Sequence, residues 1–185
     1  MGRVKGSAIT STIRYIRDHH DDVVYREIRD SLTPEHRALL KKGVVPHEWV
    51  PYSLFIELSV ATDARLGRGD LALCREIGRY GAKVNLPTLY RLFMRLGSVG
   101  FILRKASRLW SVHYDTGSME VEELTNRGAR LTIADFEEPH RAHCLRVLGW
   151  TEGAVAMTGA QVLDAEKESC RAEGDQACVI RLHWR

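Results

Sequence analysis

The sequence predicts an α+β fold: N-terminal helices, then a C-terminal antiparallel sheet of about five strands, with a long helix before the last hairpin. Three observations predict it. Up to Arg108, apolar residues recur at helical spacing between Pro and Gly punctuation. From Leu109 the residues alternate with period two and favour strands. One apolar helical stretch, opened by Pro139, interrupts the alternating segments. At 185 residues the chain is long enough for one ordinary core, built from a helical region (residues 1–108) and a sheet-rich region (residues 109–185).

Taken in order, residues 7 to 42 read as short amphipathic helices. Ile9, Ile13 and Ile16 share one face, and Asp21 or Asp22 can cap the next helix. Thr33 followed by Pro34 and Glu35 is a helix start, and Gly43 a stop. Pro46 and Pro51 push the residues before them out of the α region, so 44–51 is an extended connector. A strongly apolar helix then runs from Pro51 to Leu66 and stops at Gly67 and Gly69. Asp70 caps the following helix, and Pro87 opens another. The stretch 109–114 reads as a strand, followed by a turn at Asp115–Ser118. Two further period-two segments flank the turn 126–128, and a hairpin closes the chain at 161–184.

Composition excludes several classes. The formal net charge of +3 comes from basic residues scattered among acids, a solvated surface and not a nucleic-acid stripe. No apolar run reaches the ~20 residues that span a bilayer. The N-terminus lacks the apolar core of a signal peptide, and Gly6 stands where a myristoylation motif needs Ser or Thr. A cytoplasmic protein is therefore expected, and its four cysteines then favour thiols or thiolate ligands over structural disulfides.

Few residues form a chemical constellation. The sequence has no nucleophile elbow, Walker loop, dinucleotide fingerprint or zincin motif. The acid pairs Asp21–Asp22, Glu122–Glu123 and Glu137–Glu138 are sequence neighbours whose side chains diverge. His19, His20, His36, His47, His113 and His183 stand apart from one another, and Cys74 reads as core filler. Cys144, Cys170 and Cys178 are different. Cys170 and Cys178 flank a turn centred on Gly174, and Cys144 shares a helix face with His140. The trio reads as inert buried thiols, as a zinc site with one nitrogen or oxygen donor, or as a Cys170–Cys178 disulfide. The remaining signal is apolar. Tyr90, Phe93, Met94, Phe101, Trp110, Tyr114, Phe136 and Trp150 form either the core between sheet and helices or the wall of a cavity for a small apolar or aromatic ligand.

Residues 149–160, Glu168 to Cys170, and residues 173–184 resemble the ending of vinyl-reductase-type small-molecule-binding domains. These include the sensor domains of phenol- and toluene-responsive bacterial activators, in a superfamily with haem nitric-oxide sensors and small TRAPP transport subunits. Over nearly its whole length the chain also resembles a myxobacterial family of unknown function. The first resemblance implies a non-enzymatic sensory domain, a homodimer and a separate signalling partner; the scattered charge and the lack of a long apolar run imply no nucleic-acid or membrane contact. It also implies a structural zinc beneath the ligand pocket, on Cys144, Cys170 and Cys178. The relatives' glutamate ligand falls on Lys167, so either Glu166, Glu168 or His140 completes the site or the metal has been lost. No matching proximal histidine is present, so neither haem nor a nucleotide is expected. An adaptor with a filled pocket, as in the transport subunits, is the alternative; a small reductase-like enzyme is a third.

Overall fold

The computed structural model describes residues 2–85 and 98–185. Strand β1 (Arg3–Lys5) pairs antiparallel with β2 (Trp49–Pro51), Val4 opposite Val50, and fastens the N-terminus beside the start of α4. Between those strands run α1 (Gly6–His19), α2 (Asp22–Ser31) and α3 (Pro34–Lys42). Helices α4 (Tyr52–Leu66) and α5 (Ala72–Asn85) follow. After α6 (Val99–Arg108) and the single turn α7 (Trp110–His113) come β3 (Ser118–Thr125) and β4 (Gly128–Ala134). Helix α8 (Arg141–Met157) then precedes the closing strands β5 (Val162–Ser169) and β6 (Cys178–Trp184).

The α+β architecture stands as predicted. The main sheet is antiparallel in the order β3–β4–β6–β5, so it has four strands among the described residues. The difference lies at 109–114, which is helical at Trp110–His113 and not a strand. The same residues carry the reason: Trp110, His113 and Tyr114 are spaced i, i+3 and i+4, a helical face as well as an alternating one. The indole Nε1 of Trp110 donates to the Thr116 carbonyl at 3.0 Å, which ties that turn to the entry of β3.

The helix punctuation holds in detail. Asp21 accepts the Val24 N–H, and Asp70 accepts that of Ala72. The start of α5 has a second cap that the sequence did not suggest. Asp63, fully buried near the end of α4, accepts N–H bonds from Leu71 and Leu73 and joins the two helices. Thr33 begins α3 without capping it, because its hydroxyl and N–H both go to Glu57.

The core runs as one cluster from Val4 to Trp184. Alternate residues of β6 (Cys178, Ile180, Leu182 and Trp184) face it, as do Leu131 and Ile133 of β4. Helix α8 touches the sheet where Cys144 meets Cys178, and its opposite side meets α5. A Cβ on Gly149 would lie 1.8 Å from the Arg75 carbonyl oxygen, and one on Gly78 would lie 2.3 Å from that of Arg146. A Cβ on Gly153 would meet Ala82 at 2.8 Å. These glycines let the two backbones touch. Beside them Glu152, 8% exposed, accepts hydrogen bonds from Arg75 at 2.6 Å and Arg79 at 2.7 Å. Arg75 also donates to the Ala165 carbonyl of β5. Among the described residues no helix is long and apolar enough to cross a membrane.

Two outcomes follow from this contact. Gly149→Ala gains about 1 kcal/mol of helix propensity but forces backbone apart. A net loss of about 2 kcal/mol or more in urea unfolding is expected, and a neutral result would refute the close approach. For Glu152, burial pushes the carboxyl pKa up, but the hydrogen bonds and charges of Arg75 and Arg79 outweigh it and hold the pKa low. A pKa lowered on folding stabilises the protein above the ordinary carboxylate range, and that stability is lost as pH falls through the lowered value. Glu152→Gln should lower stability at neutral pH by about 2 kcal/mol, discounted for the half-exposed arginines. The wild-type and variant unfolding midpoints should converge below about pH 4.

Candidate functional site

A cavity of about 140 Å³ lies between α1, α5, α7 and α8, with Phe55 of α4 on its wall. Helical spacing makes the space. Ser7 and Ser11 of α1, and Gly78, Gly81 and Asn85 of α5, each recur on one face, and their small side chains leave room. Trp110, Tyr114, Met119 and Trp150 supply the bulky walls. The rings of Trp110 and Tyr114 lie 4.5 Å apart.

Two polar groups in this wall are not surface groups. Arg146 of α8 is 6% exposed. Its guanidinium donates to the Thr12 hydroxyl at 2.9 Å and the Ala8 carbonyl at 3.2 Å, and it stands 5.3 Å from the Phe55 ring centroid. No carboxylate pairs with it among the described residues, and burial pulls its pKa down to about 10. His113, at the end of α7, has its pKa lowered by burial and by the charge of Lys5, so its imidazole is neutral.

Beside the cavity, His143 sits in a box made by Tyr52, Phe55, Trp110, Tyr114 and Phe136, with ring centroids 4.6 to 5.9 Å away. Burial pushes its pKa down to about 3, so this imidazole is neutral as well. The His143 Nε2 and the Tyr52 hydroxyl are both buried without a hydrogen-bond partner among the described residues.

The second feature is the cysteine cluster. The sulfurs of Cys144, Cys170 and Cys178 lie within 4.8 Å of one another, and Cys144 is 3.4 Å from each of the others. All three are buried free thiols. The β5–β6 connection brings them together through a short 3-10 turn, Arg171–Glu173, and the left-handed Gly174. Asp175 accepts the Cys170 N–H and fixes the turn. Of the three, Cys178 is the one whose pKa is lowered, by its hydrogen bond with Cys144 and by the Arg171 N–H that donates to its sulfur. Hydrogen bonding to Cys178, with burial, raises that of Cys144.

The expected fourth donors are elsewhere. His140 is the N-cap of α8, its Nδ1 accepting the Ala142 N–H. Glu168 pairs with Arg130 and Arg181 on the other face of β5, and Glu166 pairs with Arg181. Lys167 is the residue on the cluster's side. It pairs with Glu173 at 2.8 Å, and although burial pulls its pKa down, that hydrogen bond leaves it raised.

Of the predicted ligand wall, Trp110, Tyr114 and Trp150 line the cavity. Phe101 does not: it is 44% exposed on α6, because it falls on the solvent side of that helix. Phe136 packs against His143, and Cys74 is core filler as read. Tyr90, Phe93 and Met94 lie outside the described residues. Sequence reasoning missed Arg146, His143 and the cavity position of His113. The available signal was Arg146 itself, a lone charge inside the apolar run 142–150.

No protein-family profile and no curated protein matches the chain. Solved structures do. One is an H-NOX protein from S. oneidensis in the Fe(II)NO ligation state: TM-score 0.73, 13% identity, covering 98% of this chain and 99% of that one. An oxygen-binding H-NOX domain related to soluble guanylate cyclases matches at TM-score 0.69 and 13% identity, covering 98% and 95%. A third structure, from work on haem distortion in the H-NOX family, matches at TM-score 0.61 and 15% identity, covering 98% and 95%. At these identities the likeness is one of fold. It corrects one expectation: the reading that no haem is involved does not stand, because H-NOX proteins that share this fold along its whole length carry haem. His113 and Arg146 are donor types that hold haem elsewhere, but a space of about 140 Å³ matches a single ring and not a macrocycle.

Proposed function

We propose that the chain is a sensory domain that binds a small molecule in the cavity between α1, α5, α7 and α8 and catalyses no reaction. The observation that carries this reading is the cavity itself: largely apolar and aromatic, with a few convergent polar groups. A core packed solid between sheet and helices would instead have favoured the adaptor. The sensor proteins that share the fold support the reading, as does the vinyl-reductase-type resemblance of residues 149–184. The homodimer, the separate signalling partner and the kinship with the myxobacterial family belong to the same proposal.

A second reading rests on His113. In it the cavity opens to take haem, which supplies an iron site for a diatomic gas. His113 would hold the iron and Arg146 a propionate. Calorimetry with toluene, benzyl alcohol and benzoate, beside a hemin titration, separates the readings. Saturable binding of a single-ring compound at one per chain is the expected outcome. A Soret band with hemin that His113→Ala abolishes would favour the second reading, and failure of every ring compound and of hemin would sink both.

In the same proposal Cys144, Cys170 and Cys178 hold a structural zinc that clamps the β5–β6 turn to α8. Three sulfurs within 4.8 Å, one of them disposed to be a thiolate, support this. A zinc there would take its fourth ligand from a group other than His140 or Glu168, since both are engaged elsewhere. Metal analysis of native protein should give one zinc per chain. Cys170→Ser should lose the metal and several kcal/mol of stability, roughly as expected for a structural site. Metal-free protein of unchanged stability would rule the clamp out.

A further inference from the structure

We infer that the ligand of this cavity is an organic anion, a single-ring or comparably small acid whose carboxylate pairs with Arg146. The inference rests on the cavity being the ligand site, as proposed above.

The argument begins with a charge that the protein leaves unneutralised. Arg146 is more than nine-tenths buried, and its bonds run to two neutral oxygens, the Thr12 hydroxyl and the Ala8 carbonyl. No Asp or Glu is paired with it among the described residues, and residues 86–97 contain neither acid. Lys5, the charged neighbour of His113, is a cation too. Burying a guanidinium without an opposite charge is strongly unfavourable, and native proteins rarely do so away from a binding site.

A purely structural role does not account for the charge. Joining α8 to α1 through Thr12 and Ala8 requires N–H donors, which a neutral amide would also supply. The positive charge adds something only where an anion arrives, and the guanidinium fork matches a carboxylate in two parallel hydrogen bonds. The rest of the wall sets the ligand's body. Leu109, Trp110, Val147 and Trp150 are apolar or aromatic, and the space of about 140 Å³ is near the roughly 150 Å³ that accepts a benzene ring in an engineered cavity. An aromatic monocarboxylate fills both demands.

Calorimetry on the full chain with benzoate, benzyl alcohol, toluene and inorganic phosphate tests the inference. Benzoate should bind at one per chain and at least about tenfold more tightly than benzyl alcohol. Arg146→Gln should erase that preference while toluene still binds, and Arg146→Lys should keep some of it. In wild-type protein, benzyl alcohol or toluene binding as tightly as benzoate would overturn the anion and leave the cavity reading intact. Phosphate matching benzoate would overturn the carboxylate. Failure of all three ring compounds would overturn the inference together with the reading beneath it. The wild-type comparison decides even if the variants do not fold.

Discussion

The backbone contact between α5 and α8 is the constraint on which the rest of the structure depends. Gly78, Gly149 and Gly153 allow two helices to approach until one backbone lies against the other's carbonyls. Side chains of ordinary size would hold them apart, and helix axes separated by side-chain layers could not place Arg146 and Trp150 beside Gly81 and Asn85. The close approach also sets a polar requirement. With no room between the helices, Glu152 must reach its partners at the seam's edge, where Arg75 and Arg79 meet it and Arg75 continues to β5. Helix–helix packing and sheet docking are thus one arrangement.

From that seam the cavity follows as a consequence of spacing. Small residues at i, i+3 and i+7 on α5, and at i and i+4 on α1, cannot fill the space opposite the large rings of α7 and α8. Burial lowers the pKa of His113 and His143, and among the described residues the His143 Nε2 and the Tyr52 hydroxyl have no partner and Arg146 has no anion. A core selected for stability alone would have replaced such groups with aliphatic residues, because each unmet polar group is unfavourable in a dry interior.

Much of the fold was legible because it is written in local signals. Proline and glycine punctuation, Asp21 and Asp70 as caps, and period-two alternation at β3, β4 and β6 each act over a few residues. The misread segment, 109–114, carries both periods at once, and only its tertiary setting decides between them. The cysteine trio could be read from spacing because a hairpin and a helix place it almost by themselves. His140 and Glu168 could not, since a capping role and a strand face removed them. Arg146 and the cavity stayed hidden for a different reason. Four helices distant in sequence make that wall, and nothing local to α8 announces that α1 meets Arg146 with a hydroxyl and a carbonyl.

Helix α8 finally joins the two features that the rest of the chain keeps apart. Cys144 and Arg146 are two residues apart, so they point to different sides of one rigid helix, the first toward β6 and the second toward α1 and α5. A helix turn pinned at Cys144 by the hairpin cannot slide or rotate without carrying the guanidinium with it. Fixing the sulfur side therefore fixes the anchor of the cavity side to within the play of one arginine side chain. The same helix reaches β5 through Glu152 and Arg75 and meets the β5–β6 turn and β6 through the cysteine cluster. The sheet hairpin and the cavity wall therefore share one rigid element, and the position of Arg146 depends on the packing of β5 and β6 against α8.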